Sequence, residues 1–187
     1  RVFKILDTQD QTETGGSIDL AQMEGAIAFE NVVFGYLPEE AVLKGISFEV
    51  SKGETLAIVG ATGAGKSTII NLLNRFYGIQ SGRISIDGHN IDALSLKGLR
   101  SHIAVVLQDV FLFADTIENN ISLGNSEVSL SEIEAAAKEI GVHDFIESLP
   151  GGYQFNVKER GGMLSSGQRQ LIAFLRAYVT KPSILVL

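Results

Sequence analysis

The residues best suited to chemistry are the eight of Gly60-Ala61-Thr62-Gly63-Ala64-Gly65-Lys66-Ser67. Their types and spacing fit G-x-x-x-x-G-K-[ST], a cradle for the phosphates of a nucleotide. Glycines let the backbone approach phosphate oxygens with its N–H groups turned inward, where a Cβ would obstruct. A helix starting near Lys66 points its positive dipole end at the same place. Lys66 adds a full charge for the β- and γ-phosphates of ATP, and Ser67 offers a hydroxyl to Mg2+. A second segment, Leu164-Ser165-Ser166-Gly167-Gln168-Arg169-Gln170, introduces another helix. A serine cap followed by small residues exposes free amides at a positive helix end, so the segment is either an anion site or an ordinary capped helix. Gln108 ends an apolar run and is either a site residue or a surface glutamine.

Positioning these groups takes strands and helices in alternation. Ile27 to Tyr36 and Val42 to Val50 have strand character, with Ile46, Phe48 and Val50 alternating with polar residues. Thr55 to Val59 is short and apolar and runs into the Gly-rich turn, after which Ile69, Ile70, Leu72, Leu73 and Phe76 keep a helical stripe. Arg83 to Asp87 alternates, Ile103 to Leu107 reads as a buried strand, and Ile184 to Leu187 reads as a doubly buried one. Ser129 and Glu132 predict a capping box, Ile133, Ala136, Ala137 and Ile140 one apolar face, and Gly141 a stop. Further helices are expected over 144–149 and 166–178. The pattern is α/β with a largely parallel sheet, an antiparallel strand layer and a helical insert around 110–165.

The chain has 187 residues, 45% hydrophobic and 20% charged, which suits a globular domain and excludes disorder or a disulfide scaffold. A net charge of −7 repels polyanions, so no nucleic acid partner is expected. It also means that a phosphate site must build its own local positive field. No cysteine is present, which removes thiolate metal sites, and no apolar run reaches the ~18–20 residues of a membrane span. Asn120-Ile121-Ser122 matches a glycosylation acceptor, a triplet common by chance. Val2, Phe3, Ile5 and Leu6 read as the tail of an amphipathic helix, and Thr8 to Glu24 as a polar linker. Both ends read as cut from a longer protein.

Taken together, the 60–67 loop, Gln108, the Leu-Ser-Ser-Gly-Gln stretch and the closing apolar strand resemble the ATP-binding domain of ABC transporters. The family pattern of that stretch is Leu-Ser-Gly-Gly-Gln, so Ser166 departs at the first glycine. The resemblance implies a P-loop NTPase (RecA-like) core with an antiparallel β subdomain and a helical signature subdomain, its C-terminal part missing. It divides the chain into a linker over 1–24 from an upstream transmembrane domain and an incomplete ATP-binding domain over 25–187. Residues 60–67 and Thr68 would hold ATP, with Lys66 and Gln108 in catalytic roles and Ser67 and Gln108 at Mg2+. Tyr36 would stack on adenine, although a plain strand aromatic is the alternative. Ser165, Ser166, Gly167 and Gln168 would face ATP held by a second ATP-binding domain in a head-to-tail dimer, a homodimer or a heterodimer. A Cβ at Ser166 would weaken that grip modestly unless the backbone there has φ < 0. The Mg2+-binding Asp, the general-base Glu and the switch His of the family would lie beyond Leu187, so the 187 residues alone are expected to be almost inactive. His89, His102 and His143 match no such motif and read as exposed or locally bonded.

The 108–117 and 158–162 segments resemble exporter versions, with the domain on the cytoplasmic face of a membrane. Phe111 and Phe113 would line a groove for a coupling helix of the transmembrane domain or pack inside the helical insert. The other readings are an importer subunit, a soluble relative, a non-hydrolysing nucleotide-binding module and, more remotely, a P-loop kinase.

Overall fold

The computed structural model describes residues 16–20 and 22–187, so the expected helix near Val2 to Leu6 lies outside the described residues. They divide into two units, one running to His102 and the other Ile103–Leu187. In the first unit β1 (Ile27–Phe34), β2 (Leu43–Val50), β3 (Ser81–Ile86) and β4 (His89–Asn90) form the expected antiparallel layer, in the order β2-β1-β3-β4. Phe29 lies opposite Phe48 and Ile84, and its ring stacks on Phe48 at 4.6 Å. Strict alternation from Phe29 would turn Asn31 and Val33 inward. A bulge prevents this: Asn31 adopts φ 48°, its N–H donates to Ser47 Oγ at 2.8 Å, and Val32 and Phe34 become the buried pair. Gly82 makes the bulge possible, because at φ 93° a Cβ there would sit 2.4 Å from the Asn31 carbonyl oxygen.

Helix α1 (Lys66–Leu73) follows the glycine loop and buries Thr68, Leu72 and Leu73. It ends earlier than its apolar stripe suggests, because Arg75 takes φ 52°. Phe76, expected on that stripe, is instead exposed under the Arg100 guanidinium, 5.0 Å from its ring centre. Helix α2 (Leu96–Ser101) is capped by Ser95. The described part of the presumed linker is fastened down: Gly16 and Ile18 donate to the carbonyls of Asp92 and Ala93, and the Asp87 carboxylate accepts from the amides of Glu24 and Ala26.

One expected strand is absent. Residues 55–59 carry no ladder, and Leu56, Ile58 and Val59 are exposed, Val59 by 88%. A strand exists only through its pairing, and nothing among the described residues pairs with this segment. The parallel component is a two-stranded ladder in the second unit, β5 (Ile103–Val105) against β6 (Ile184–Val186). Both are shorter than their apolar runs, and β6 is not doubly buried: Ile184 is covered while Leu185 and Leu187 are exposed.

The rest of the second unit is helical. It holds α3 (Ile117–Ser122), α4 (Leu130–Glu139), α5 (His143–Glu147) and α6 (Ser166–Val179). Their apolar faces share one core containing Leu112, Ile117, Ile133, Ile146, Ile172 and Leu175. Burial of each such side chain contributes about 1.5–3 kcal/mol. The capping box of Ser129 with Glu132 forms as expected, and Gly141 (φ 75°) follows the end of α4.

Candidate functional site

Side-chain caps close the starts of four helices and are missing at α1 and α5. Ser95, Thr116, Ser129 and Ser165 each place a side-chain oxygen on the first-turn amides of α2, α3, α4 and α6. No side chain caps α1, and no acidic residue lies in its first turn. Gly65 precedes it at φ 89°, and a Cβ there would press 2.8 Å from Leu43 Cδ2. The first amides of a helix lack intrahelical partners, so those at Lys66 to Thr68 are left for a ligand. Lys66 Nζ donates to the carbonyls of Gly60 (2.7 Å) and Ala61 (2.9 Å), which folds its charge across the loop mouth. Residues 60–64 and Ser67 are exposed, Ser67 within the first turn, and Lys66 is half-buried. The Lys66 charge and the free amides at the positive end of α1 thus lie together on an otherwise acidic chain.

Tyr36 stands close to the same helix. Its hydroxyl lies 3.2 Å from Thr68 Oγ1 and accepts from Asn71 Nδ2 at 3.4 Å. Phe34 and Tyr77 flank its ring at 5.0 and 5.1 Å, both nearly perpendicular to it. The residue is nevertheless 49% exposed and lies past the end of β1, so it is not a buried strand aromatic.

In the second unit Gln108 lies past the end of β5 and is exposed. With Leu107, Gly167, Leu171 and Phe174 it lines a groove of about 580 Å³, which brings Gln108 and the start of α6 to one place. Ser165 and Gln168 form a reciprocal cap: Gln168 N–H donates to Ser165 Oγ at 3.2 Å, and Ser165 N–H donates to Gln168 Oε1 at 2.8 Å. The capped-helix reading is therefore realised, and both side chains are engaged. Ser165, Ser166 and Gly167 remain exposed, and the amides of Ser166 and Gly167 precede the capped one. Ser166 begins α6 and is not among the positive-φ residues, so its Cβ carries no backbone strain. The backbone is thus the one for which no penalty is expected at Ser166.

Ahead of α6, Lys158 (φ 59°) and Arg160 (φ 53°) take positive φ without being glycine, strain of the kind that gathers at functional sites. Phe111 and Phe113 form a perpendicular pair at 5.1 Å, both more than half exposed, so they do not pack inside the helical insert. Leu112 between them is fully buried.

Sequence reasoning missed what holds this pair. Asn120 is fully buried: its side chain accepts from the Phe113 amide at 2.8 Å and donates to the Phe113 and Thr116 carbonyls. Arg176 of α6 donates to the Asn120 carbonyl at 2.7 Å and to the Phe111 carbonyl at 3.3 Å. Burial pulls the pKa of the Arg176 guanidinium below its ordinary value, and its partners are main-chain oxygens. The glycosylation triplet is thus a structural asparagine, and no periodicity could reveal that.

His143 Nδ1 lies 2.9 Å from the Tyr153 hydroxyl and His102 Nε2 lies 3.3 Å from the Leu20 carbonyl, so both are locally bonded as expected. No cluster of three His, Cys, Asp or Glu suited to a metal exists among the described residues. Mg2+ needs no such cluster, since it keeps waters and phosphate oxygens around one or two protein ligands, and the Ser67 hydroxyl fits that part.

The family model described as ABC transporter matches residues 43–187. A fatty acid ABC transporter ATP-binding/permease protein of Mycobacterium tuberculosis is 44% identical over 100% of this chain and 30% of its own length. An ATP-dependent lipid A-core flippase of Saccharophagus degradans is 45% identical over 100% of the chain and 32% of its own. A solved structure of a bacterial Atm1-family ABC exporter with ATP bound superposes with a TM-score of 0.86 at 43% identity, covering 98% of this chain and 32% of that one. The chain thus spans about a third of the length of the relatives it matches. No helix among the described residues is long and apolar enough to cross a membrane.

Proposed function

The chain belongs to the ABC transporter family, and from that premise we propose that its first unit binds ATP with Mg2+ and that the parent protein hydrolyses it to drive export across a membrane. The observation that carries this reading is the uncapped start of α1, with Gly65 in a conformation natural to glycine and Lys66 folded over the loop. Residues 60–68 hold the phosphates through main-chain amides and the Lys66 charge. Ser67 offers its hydroxyl to Mg2+. The ion supplies charge neutralisation for the transferring phosphoryl group. Tyr36 stacks on the base, an interaction worth ~1–3 kcal/mol.

The exposed amides of Ser166 and Gly167 grip the triphosphate of a second ATP-binding domain, arranged head to tail, so each copy completes the other's site. A transmembrane domain is the further partner. The exposed Phe111 and Phe113 suit a groove for its coupling helix, on the cytoplasmic face. Export is favoured over import because the relatives described above include ATP-binding/permease proteins and a flippase.

Titration of the chain with a fluorescent ATP analogue tests the binding step. Lys66→Ala removes a charge-assisted contact and weakens binding roughly 10- to 150-fold. Equal affinity of the variant and the parent chain would refute the placement of the phosphates.

A further inference from the structure

The groups that hold Tyr36 sit on the helix that opens the phosphate cradle. Thr68 and Asn71 are three residues apart, on one face of α1, and both reach the Tyr36 hydroxyl, at 3.2 and 3.4 Å. Thr68 is 5% exposed, so its oxygen is shielded from competing water. Asn71 donates to the phenol oxygen, and in the bond between Tyr36 and Thr68 either hydroxyl can be the donor. Phe34, itself buried, and Tyr77 hold the ring in perpendicular contact, and the Tyr36 residue remains half exposed. An exposed tyrosine on a loop edge would ordinarily sample several rotamers. Here both ends of the side chain are fixed.

We propose that Thr68 and Asn71 are positioning residues for the nucleobase, holding the Tyr36 ring by its hydroxyl at a set distance from the phosphate cradle on the same helix. The inference rests on the reading of Tyr36 as the base platform and adds that the hydroxyl, not only the ring, matters for ATP affinity. Ordering the platform before the ligand arrives removes a rotamer cost from binding. Base and phosphates are then recognised from one rigid element.

The test is displacement of a fluorescent ATP analogue from the 187-residue chain by ATP and, separately, by inorganic tripolyphosphate, which has phosphates but no base. A neutral hydrogen bond is worth ~0.5–1.5 kcal/mol, so Tyr36→Phe, which keeps the ring, weakens ATP about 2- to 12-fold. Asn71→Ala weakens ATP in the same direction, adds little to Tyr36→Phe, and neither change affects tripolyphosphate. If Tyr36→Phe binds ATP like the parent chain while Tyr36→Leu loses affinity, the ring alone suffices and the inference fails with the base platform intact. If Tyr36→Leu also binds normally, both readings fall. Equal weakening of ATP and tripolyphosphate would place the effect in the cradle and overturn the proposal.

Discussion

Ser166 shows how a single Cβ is judged by its backbone. At a left-handed position it would be strained, but at the first residue of α6 it is not. Ser166→Gly should therefore leave ATP affinity of the assembled protein unchanged within about twofold, since there is no conformational strain to relieve. A tenfold gain by titration would show that the hydroxyl or Cβ obstructs the ligand after all. Tyr153 is a second case. Burial, followed by the charges of Glu134 and Glu147, pushes its phenol up to about 12. Its folded value lies above the unfolded one, so the neutral form favours folding. That contribution is complete below pH ~10 and is lost as pH rises through about 12. Denaturant melts across this window should show stability falling, with a shallower decline in Tyr153→Phe; identical slopes would exclude Tyr153 as the cause.

Among the elements, the second unit depends on a polar clamp as much as on its apolar core. Asn120 of α3 and Arg176 of α6 together engage the main chain of Phe111 and Phe113. Asn120→Leu would strand the Phe113 amide and carbonyl and part of the guanidinium shell, at a cost of roughly 3–5 kcal/mol. Denaturant midpoints measure this, and a loss below about 1 kcal/mol would mean that water replaces the side chain. Neither residue was recognisable beforehand, because their partners are carbonyls set by tertiary structure. What could be read was local. The capping box at Ser129 and Glu132, the stop at Gly141 and the helix opening at Ser166 each depend on neighbours within four residues. The bulge at Asn31 escaped because Gly82, far along the chain, permits it. Residues 55–59 have strand composition yet no ladder, since apolar β-branched residues favour a strand only where a partner exists.

For the whole molecule, the proposed phosphate site was the most legible feature, because a glycine loop, a lysine and a helix start are consecutive in sequence. The anchoring of Tyr36 on Thr68 and Asn71 joins residues that only folding brings together. The central claim is that the glycine loop of one copy and the start of α6 in another close on the same ATP. The absence of cysteine from the chain allows a direct measurement. Ala61→Cys and Ser166→Cys chains, each prepared separately, are mixed under mild oxidation with ATP and Mg2+, with ADP and Mg2+, or with neither. The account predicts a disulfide-linked dimer in the mixture with ATP and little without it, and none comparable from either variant alone. A mixture that binds the fluorescent ATP analogue yet forms no ATP-dependent cross-link would contradict it.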